Sequence, residues 1–168
     1  SKVIFAQITG SRADLIIADD VESLNNSATQ TMRDKISEAI KEFDAVLKPN
    51  GEIVVLGTPQ TEASLYSVLP ERGFNVRIWP AKFPKKTQRT GYGDALAPYI
   101  SSKIEEDEEL VGKPTDPKRF DETDLMEREA SYGRTGFNLQ FMLDTSLADA
   151  DRYPLKLSDL IVMSLNPL

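Results

Sequence analysis

The feature that most constrains this chain is an uninterrupted apolar run that leads directly into two adjacent acids. Leu15 to Ala18 are all apolar, and Asp19 and Asp20 follow at once. A run without polar alternation is typical of a strand that is buried on both faces, as in parallel sheets covered by helices. The sequence therefore predicts a parallel sheet in which this strand ends at paired negative charge.

Strand-like and helical patterns alternate along the first eighty residues. Apolar residues at steps of three and four predict a helix that is closed by residues 48–51, and a second helix is predicted over 61–69. The first of these stripes consists of Met32, Ile36, Ile40, Phe43 and Leu47. Strands are predicted at 2–8, 14–18, 52–57 and 74–80. This alternation is typical of an α/β fold with helical crossovers between parallel strands.

The composition changes after Pro80. Residues 81–120 contain several Pro and Gly together with basic and acidic clusters, and we expect a surface insertion with poor local order. The following segment predicts a helix that begins at Asp121 or Thr123. The chain is thus expected to contain a core over 1–80, an insertion over 81–120, and a helical subdomain with a linker over 121–168.

The composition also excludes several kinds of functional site. The 168 residues include no His and no Cys, which excludes thiolate and imidazole metal sites, a cysteine nucleophile and a serine–histidine triad. Chemistry must rest on carboxylates, Lys, Arg, hydroxyls, amides and a hard cation such as Mg²⁺. The net charge of −7 argues against a generic basic nucleic-acid binder but permits a local basic patch. Nothing resembles a signal peptide or a membrane span.

The paired acids are predicted to lie where open α/β sheets bind ligands, outside the carboxyl ends of the strands. An apolar strand that ends in two acids has the form of the second nucleotide-binding motif of P-loop ATPases. In that motif one acid orients Mg²⁺ and the other polarises the attacking water. The alternative is a strand that ends in a solvated turn, with Asp20 or Ser23 capping a following helix.

A second polar motif follows the strand predicted at 52–57. Thr58 and Gln60 precede a helix, and they would lie beside the acids if the two strands are neighbours. Such side chains can hydrogen-bond the γ-phosphate of a nucleotide and pass its loss to the adjoining helix. The alternative is an ordinary turn in which Pro59 begins that helix.

The phosphate-binding loop of these ATPases is absent from the sequence. No G-x-x-x-x-G-K-S/T pattern occurs, so the amides and the Lys that hold the β- and γ-phosphates are missing. The isolated chain is therefore expected to be inactive and to be the back half of something larger. Its first residue, Ser1 rather than Met, agrees with a processed or excised piece.

Four segments together resemble the large terminase subunit of podovirus-type, short-tailed phages. They are ITGSRADLIIADDVE, NNSATQ, GTPQTEASLY and REASYGRTGFNLQFMLD, and the resemblance extends over nearly the whole chain. It implies a parallel-sheet P-loop NTPase of the additional-strand class. This chain would be the second half of that ATPase domain and the linker towards a nuclease domain.

The resemblance also implies a function and its partners. It implies a motor that uses ATP and Mg²⁺ to move double-stranded DNA into a procapsid, in the host cytoplasm during virion assembly. The implied partners are the portal (connector) protein, the small terminase subunit and further copies of the motor in a homo-oligomeric ring.

The resemblance assigns roles to individual residues. Asp19 would be the acid associated with Mg²⁺, and Asp20 the catalytic carboxylate beside the metal. Many relatives have Glu at the second position, and because Asp has a shorter reach, Glu22 is a further candidate for the catalytic acid. Thr58 and Gln60 fall in the motif that couples hydrolysis to movement.

Basic residues give two further predictions. Arg134 could reach the nucleotide of a neighbouring subunit, or it is simply a surface residue of a helix. A basic cluster could contact the DNA backbone, or it forms a solvated loop balanced by the acidic run at 105–109. This cluster consists of Lys82, Lys85, Lys86 and Arg89.

Two other functions remain open at this point. The chain could be a stand-alone Mg²⁺-dependent hydrolase or nuclease that uses Asp19, Asp20 and Glu22, although this would require further acids at other strand ends. It could also be a non-catalytic assembly module. Nucleotide binding would separate the motor from the assembly module, and metal-dependent cleavage of DNA would favour the stand-alone enzyme.

Overall fold

A computed structural model describes residue 10, residues 12–23, residue 27, residues 29–61 and residues 64–146. Its strands are β1 (Ala13–Asp19) and β2 (Leu47–Leu56). Its α-helices are α1 (Gln30–Val46), α2 (Leu65–Val68), α3 (Lys86–Tyr92), α4 (Pro98–Glu106) and α5 (Glu122–Gln140). Short 3₁₀ turns follow at 70–72, 93–95 and 108–110. None of the helices in these ranges is both long and apolar enough to cross a membrane.

The two strands pair in parallel, with α1 as the crossover between them. Ile16 pairs with Ile53, and the last pair joins Asp19 to Leu56, so both strands end at the same edge. The prediction of an α/β fold with these two strands as parallel neighbours is confirmed. Within the described residues the sheet contains only this pair, and the strand predicted at 2–8 lies outside them.

The beginning of β2 differs from the prediction. Residues 48–51 were expected to close the preceding helix, but they belong to β2, and α1 ends at Val46. Ala13 pairs with Leu47 while Leu15 pairs with Glu52, so the longer β2 segment bulges out of register. Asn50, with φ of 64°, supplies the left-handed backbone that this bulge requires.

The stripe of α1 builds a first hydrophobic cluster against the sheet. The helix begins at Thr29, whose side chain accepts a hydrogen bond from the Met32 amide. Met32 itself, predicted on the stripe, is exposed. The first cluster consists of Ala18, Val21, Ile36, Ile40, Phe43, Leu65 and Leu69. It joins β1, α1 and α2, and so fixes the helix that follows β2 relative to the end of β1.

The helix predicted over 61–69 is shorter than expected. It contains only the four residues Leu65–Val68, followed by the 3₁₀ turn at 70–72. Ser64 caps its start by accepting a hydrogen bond from the Tyr66 amide. Pro70 cannot occupy a helix interior, and Gly73 ends the segment with the left-handed φ of 85°.

The prediction of a strand over 74–80 is wrong. This segment makes one isolated bridge, between Ile78 and Leu96, instead of a strand ladder. Its alternating apolar residues are nevertheless half-buried: Phe74 and Val76 pack on the first cluster. Ile78 packs on a different hydrophobic cluster, which is formed by residues 83–104. The alternation reflects burial on one side of an extended segment, which sequence periodicity does not distinguish from a paired strand.

The expectation of poor local order over 81–120 is also wrong. This segment contains α3 and α4, and it builds a second hydrophobic cluster of its own. The second cluster consists of Phe83, Tyr92, Leu96, Ala97, Ile100 and Ile104. Leu96, Ile100 and Ile104 recur every four residues along α4 and its entry, a helical signal that the surrounding Pro, Gly and charges outweighed.

The helix predicted from Asp121 is confirmed. Asp121 caps α5, and its side chain and that of Asp124 bond reciprocally to each other's backbone amides. Gly133, with φ of 68° and ψ of 170°, interrupts the helical backbone. Beyond this break the helix contributes Phe137 to a third cluster, together with Leu125 and Met142. The chain after residue 146 lies outside the described residues.

Candidate functional site

The carboxyl end of β1 forms an acidic loop, residues 19–22, at the edge of the sheet. Asp19 is the last residue of the strand, and the Asp20 amide donates to the Leu56 carbonyl oxygen at 3.0 Å. Asp20 then takes a φ of 47°, which turns the chain away from the sheet. Both side chains are exposed, and neither carboxylate accepts a hydrogen bond from the described residues. Their oxygens therefore face solvent and can bind an external group.

The segment after β2 forms a polar loop, residues 57–61, beside the acidic loop. The pairing of Asp19 with Leu56 brings the two loops together, as the sequence predicted. Gln60 is buried, and its Nε2 donates to the Thr58 carbonyl oxygen at 3.0 Å. Thr58 is half-buried. Gln60, one of the two residues predicted to contact phosphate, therefore stabilises the polar loop through a hydrogen bond inside the loop.

Glu22 joins the two loops through its side chain. The residue is only 3% exposed. Its Oε1 accepts from the Gln60 amide at 3.1 Å, and its Oε2 accepts from the Ser64 hydroxyl at 2.9 Å and the Leu65 amide at 2.7 Å. Hydrogen bonds to an ionised acceptor are roughly twice as strong as neutral ones. The carboxylate therefore fixes the polar loop and the start of α2 to the end of β1.

Tyr66 closes the site from the side of α2. Its hydroxyl accepts from the Glu22 amide at 3.4 Å. Burial, together with the charges of Glu22, Asp20 and Asp19, raises the pKa of the Tyr66 phenol to about 12, and the hydrogen bond from the Glu22 amide partly offsets this rise. A side chain at Gly57 would overlap the Tyr66 ring, so glycine is required for this close approach.

Five predicted site residues therefore meet at one edge of the sheet. They are Asp19, Asp20, Glu22, Thr58 and Gln60. Arg134 is not brought to this edge by its described contacts. It lies exposed on α5, just after the break at Gly133, and its carbonyl oxygen accepts from the Asn138 side chain at 2.8 Å.

The residues of the predicted basic cluster differ in exposure and in partners. Lys82 forms an ion pair with Glu129 at 3.1 Å, and its ammonium lies 4.9 Å from the centre of the Phe137 ring. Arg89 is half-buried on α3. Lys85 and Lys86 are exposed where α3 begins. The role of this cluster in binding DNA stays a prediction.

Comparison with known proteins relates the chain to part of a phage protein. No protein-family model matches the chain. Over 168 residues the chain is 50% identical to the "Terminase, large subunit" of Enterobacteria phage T3, in an alignment that covers 97% of this chain. This chain is homologous to part of a phage terminase large subunit. It spans about 29% of the length of that relative. The resemblance found in the sequence is confirmed.

The acids of this terminase-related chain fit a metal only in combination with another ligand. Among the described residues, no group of three or more carboxylates lies close enough to hold a metal ion. Asp19 and Asp20 offer two exposed carboxylates on adjacent residues. Mg²⁺ is usually bound by one or two carboxylates together with water and substrate phosphates. The pair therefore suits Mg²⁺ that arrives with a nucleotide.

Sequence reasoning missed the parts of the site that depend on contacts distant in the chain. Tyr66 and the adjoining cavity of about 950 Å³ gave no signal in the sequence. Its lining includes Gly57, Tyr66, Gln88 and Asp144. Ser64 could have been found, because Ser directly before an apolar residue is a common helix start.

The raised pKa of Tyr66 leads to an expected loss of stability at alkaline pH. Because the folded protein holds this phenol neutral, its contribution is fully present below pH 10 and is lost as the pH rises through about 12. We expect the urea midpoint to fall over this interval, and Tyr66→Phe to make the fall shallower. Tyr132→Phe, which changes an exposed tyrosine, is the matched control. Identical pH profiles for the parent and Tyr66→Phe would contradict the burial of this phenol.

Proposed function

We propose that this chain forms part of the ATPase of a viral DNA-packaging motor, in which ATP hydrolysis moves double-stranded DNA into a procapsid. The observation that carries the proposal is the meeting of two exposed acids with Thr58 and Gln60 at one edge of a parallel sheet. The homology to a terminase large subunit supports it. The parallel-sheet P-loop NTPase class of the additional-strand type is part of the same proposal.

In this proposal the two acids have different tasks. Asp19 and Asp20 would hold Mg²⁺, which would supply positive charge to neutralise the charge that develops during phosphoryl transfer. Asp20 orients and polarises the attacking water. Its exposed carboxylate, which no described side chain occupies, supports this role. The phosphate-cradling loop and its Lys come from a part of the motor outside this sequence.

The polar loop serves as the sensor of the γ-phosphate. Thr58 is half-buried and adjacent to the acidic loop, so its hydroxyl is available to a phosphate oxygen at the same edge. Gln60 donates to the Thr58 carbonyl oxygen and so stabilises the loop from within. Since α2 follows directly, a change in this loop on loss of the γ-phosphate is passed to that helix.

Basic side chains supply the proposed contacts with partners. Lys85 and Lys86 are exposed and suit contacts with DNA phosphates. Lys82, which pairs with Glu129, and the half-buried Arg89 are less accessible and are assigned a secondary part in the same contact. Arg134 is exposed and is assigned to the nucleotide of a neighbouring subunit in a homo-oligomeric ring. The portal protein and the small terminase subunit are the further proposed partners.

An exposed apolar face of the sheet also supports a place inside a larger protein. Side chains from both strands leave 40–61% of their surface exposed on this face. They are Leu15, Ile17, Val54 and Leu56. Apolar patches of this kind mark surfaces that another protein part covers. The proposal assigns this face to the remainder of the ATPase domain.

We expect Asp20→Asn to abolish ATP hydrolysis in a full-length motor that carries this chain. A carboxamide cannot polarise water as a carboxylate does, and loss of such a group lowers kcat by about 10²–10⁴-fold. The measurement is steady-state ATPase activity. Asp14→Asn, which changes an exposed acid at the other end of β1, is the matched control and should retain parental activity. Parental turnover by Asp20→Asn would contradict the proposed function.

We expect Thr58→Ala combined with Gln60→Ala to spare nucleotide binding but to separate hydrolysis from DNA movement. Binding rests mainly on the phosphate loop, whereas the polar loop is the proposed sensor. The measurement is the length of DNA packaged per ATP hydrolysed. If the double variant packages DNA at the parental rate per ATP, the polar loop is only a helix start.

A further inference from the structure

We infer that Glu22 is a positioning residue that transmits movement of the acidic loop to the polar loop and α2, and that it is not the acid that polarises water. This inference rests on the proposed function, because it assigns Glu22 a part in the same ATPase site. It goes beyond that proposal by naming the contact through which the site acts on its surroundings.

The surroundings of the Glu22 carboxylate leave little room for a catalytic role. Its two oxygens accept three hydrogen bonds from protein donors, at 2.7, 2.9 and 3.1 Å. A carboxylate offers about four lone-pair positions, so most of them are taken. The residue is also only 3% exposed. Asp20, two residues earlier, is exposed and has no such donors among the described residues.

The same contacts make Glu22 a connection between segments far apart in the sequence. Its donors lie 38 to 43 residues later in the chain, at Gln60, Ser64 and Leu65. Its amide adds a fourth bond, to the Tyr66 hydroxyl. Glu22 therefore contacts the polar loop, the cap of α2 and the first turn of α2 at the same time.

These bonds should hold while the acidic loop moves. Leaving a buried carboxylate without its donors costs more than the bonds themselves contribute, because the charge cannot recover water. A displacement at Asp20 when the γ-phosphate leaves is therefore carried by Glu22 to the start of α2. The polar loop senses the phosphate through Thr58, and Glu22 connects the acidic loop to the same helix through a separate set of hydrogen bonds.

The test compares three variants of a full-length motor protein. Glu22→Gln keeps the shape of the side chain but replaces one accepting oxygen with a donor group. Ser64→Ala removes one donor to Glu22 and leaves the carboxylate in place. Ser67→Ala is the matched control, because its hydroxyl donates to the Ser64 carbonyl oxygen on the same short helix and does not touch Glu22.

Two readouts distinguish transmission from a merely structural role. The first is amide hydrogen exchange over the polar loop and α2, with and without a non-hydrolysable ATP analogue. The second is DNA packaged per ATP, measured beside kcat and KM for ATP. We expect the analogue to change exchange at Leu65 in the parent and in Ser67→Ala, and this response to be lost in Glu22→Gln and reduced in Ser64→Ala.

The expected kinetic result is a loss of coupling with hydrolysis retained. DNA packaged per ATP should fall about tenfold or more in Glu22→Gln, the scale of a lost hydrogen bond to a charged group, while KM for ATP stays near parental. If Glu22→Gln does not fold, Ser64→Ala alone decides the question: parental coupling and exchange in that variant would overturn the inference.

The other outcomes separate this inference from the proposed function. A loss of kcat in Glu22→Gln as large as that in Asp20→Asn would make Glu22 the catalytic acid and overturn the inference, while the ATPase assignment would stand. An unchanged exchange response in Glu22→Gln would also overturn it. Parental hydrolysis by Asp20→Asn would instead remove the ATPase assignment itself.

Discussion

The parallel register of β1 and β2 is the constraint on which the rest of the site depends. Because Asp19 pairs with Leu56, the acidic loop and the polar loop leave the sheet side by side. An antiparallel arrangement would carry the two loops to opposite edges. The crossover helix α1 makes the parallel pairing possible, and its buried face holds both strands and α2 in one cluster.

The site then follows from a small number of contacts across that edge. The Asp20 amide extends the sheet pairing by one hydrogen bond, to Leu56, before the chain turns. The side chain of Glu22 is buried, and its carboxylate accepts three hydrogen bonds. Acids that lie within four residues of one another therefore have different roles. The exposed pair is available to ligands, and the buried acid organises the protein around them.

Sequence reasoning found the parts of this arrangement that have a local signal. The apolar run before Asp19, the stripe of α1 and the cap at Asp121 each determine their own element, and the structure confirms these elements. The prediction that the first strand is buried on both faces is wrong, because Leu15 and Ile17 are exposed. The pairing of the strands followed from chain order and the usual crossover rule. These are signals that a window of some ten residues contains.

The remainder depends on contacts that no local window contains. Nothing near Glu22 in the sequence shows that its donors lie at Gln60, Ser64 and Leu65. The apolar alternation at 74–80 gives no indication of whether a partner strand is present, and there it pairs only at Ile78. Over 81–120 the Pro, Gly and charged residues outweighed a helical spacing that packs Ile100 and Ile104 into a cluster. The composition of residues 81–120 reflected their exposed side chains and did not reveal the buried cluster beneath them.

The measurement that tests this account most directly is a disulfide across β1 and β2. The chain has no cysteine, so Ile17→Cys with Val54→Cys introduces the only thiols. These residues are register partners with exposed side chains, and neighbouring strands lie about 4.8 Å apart, within disulfide reach. Ile17→Cys with Leu56→Cys, two positions out of register, is the control. The account predicts rapid oxidation of the first pair only. Efficient cross-linking of the control pair, or none in the first, would contradict the register that brings Asp19 and Asp20 beside the polar loop.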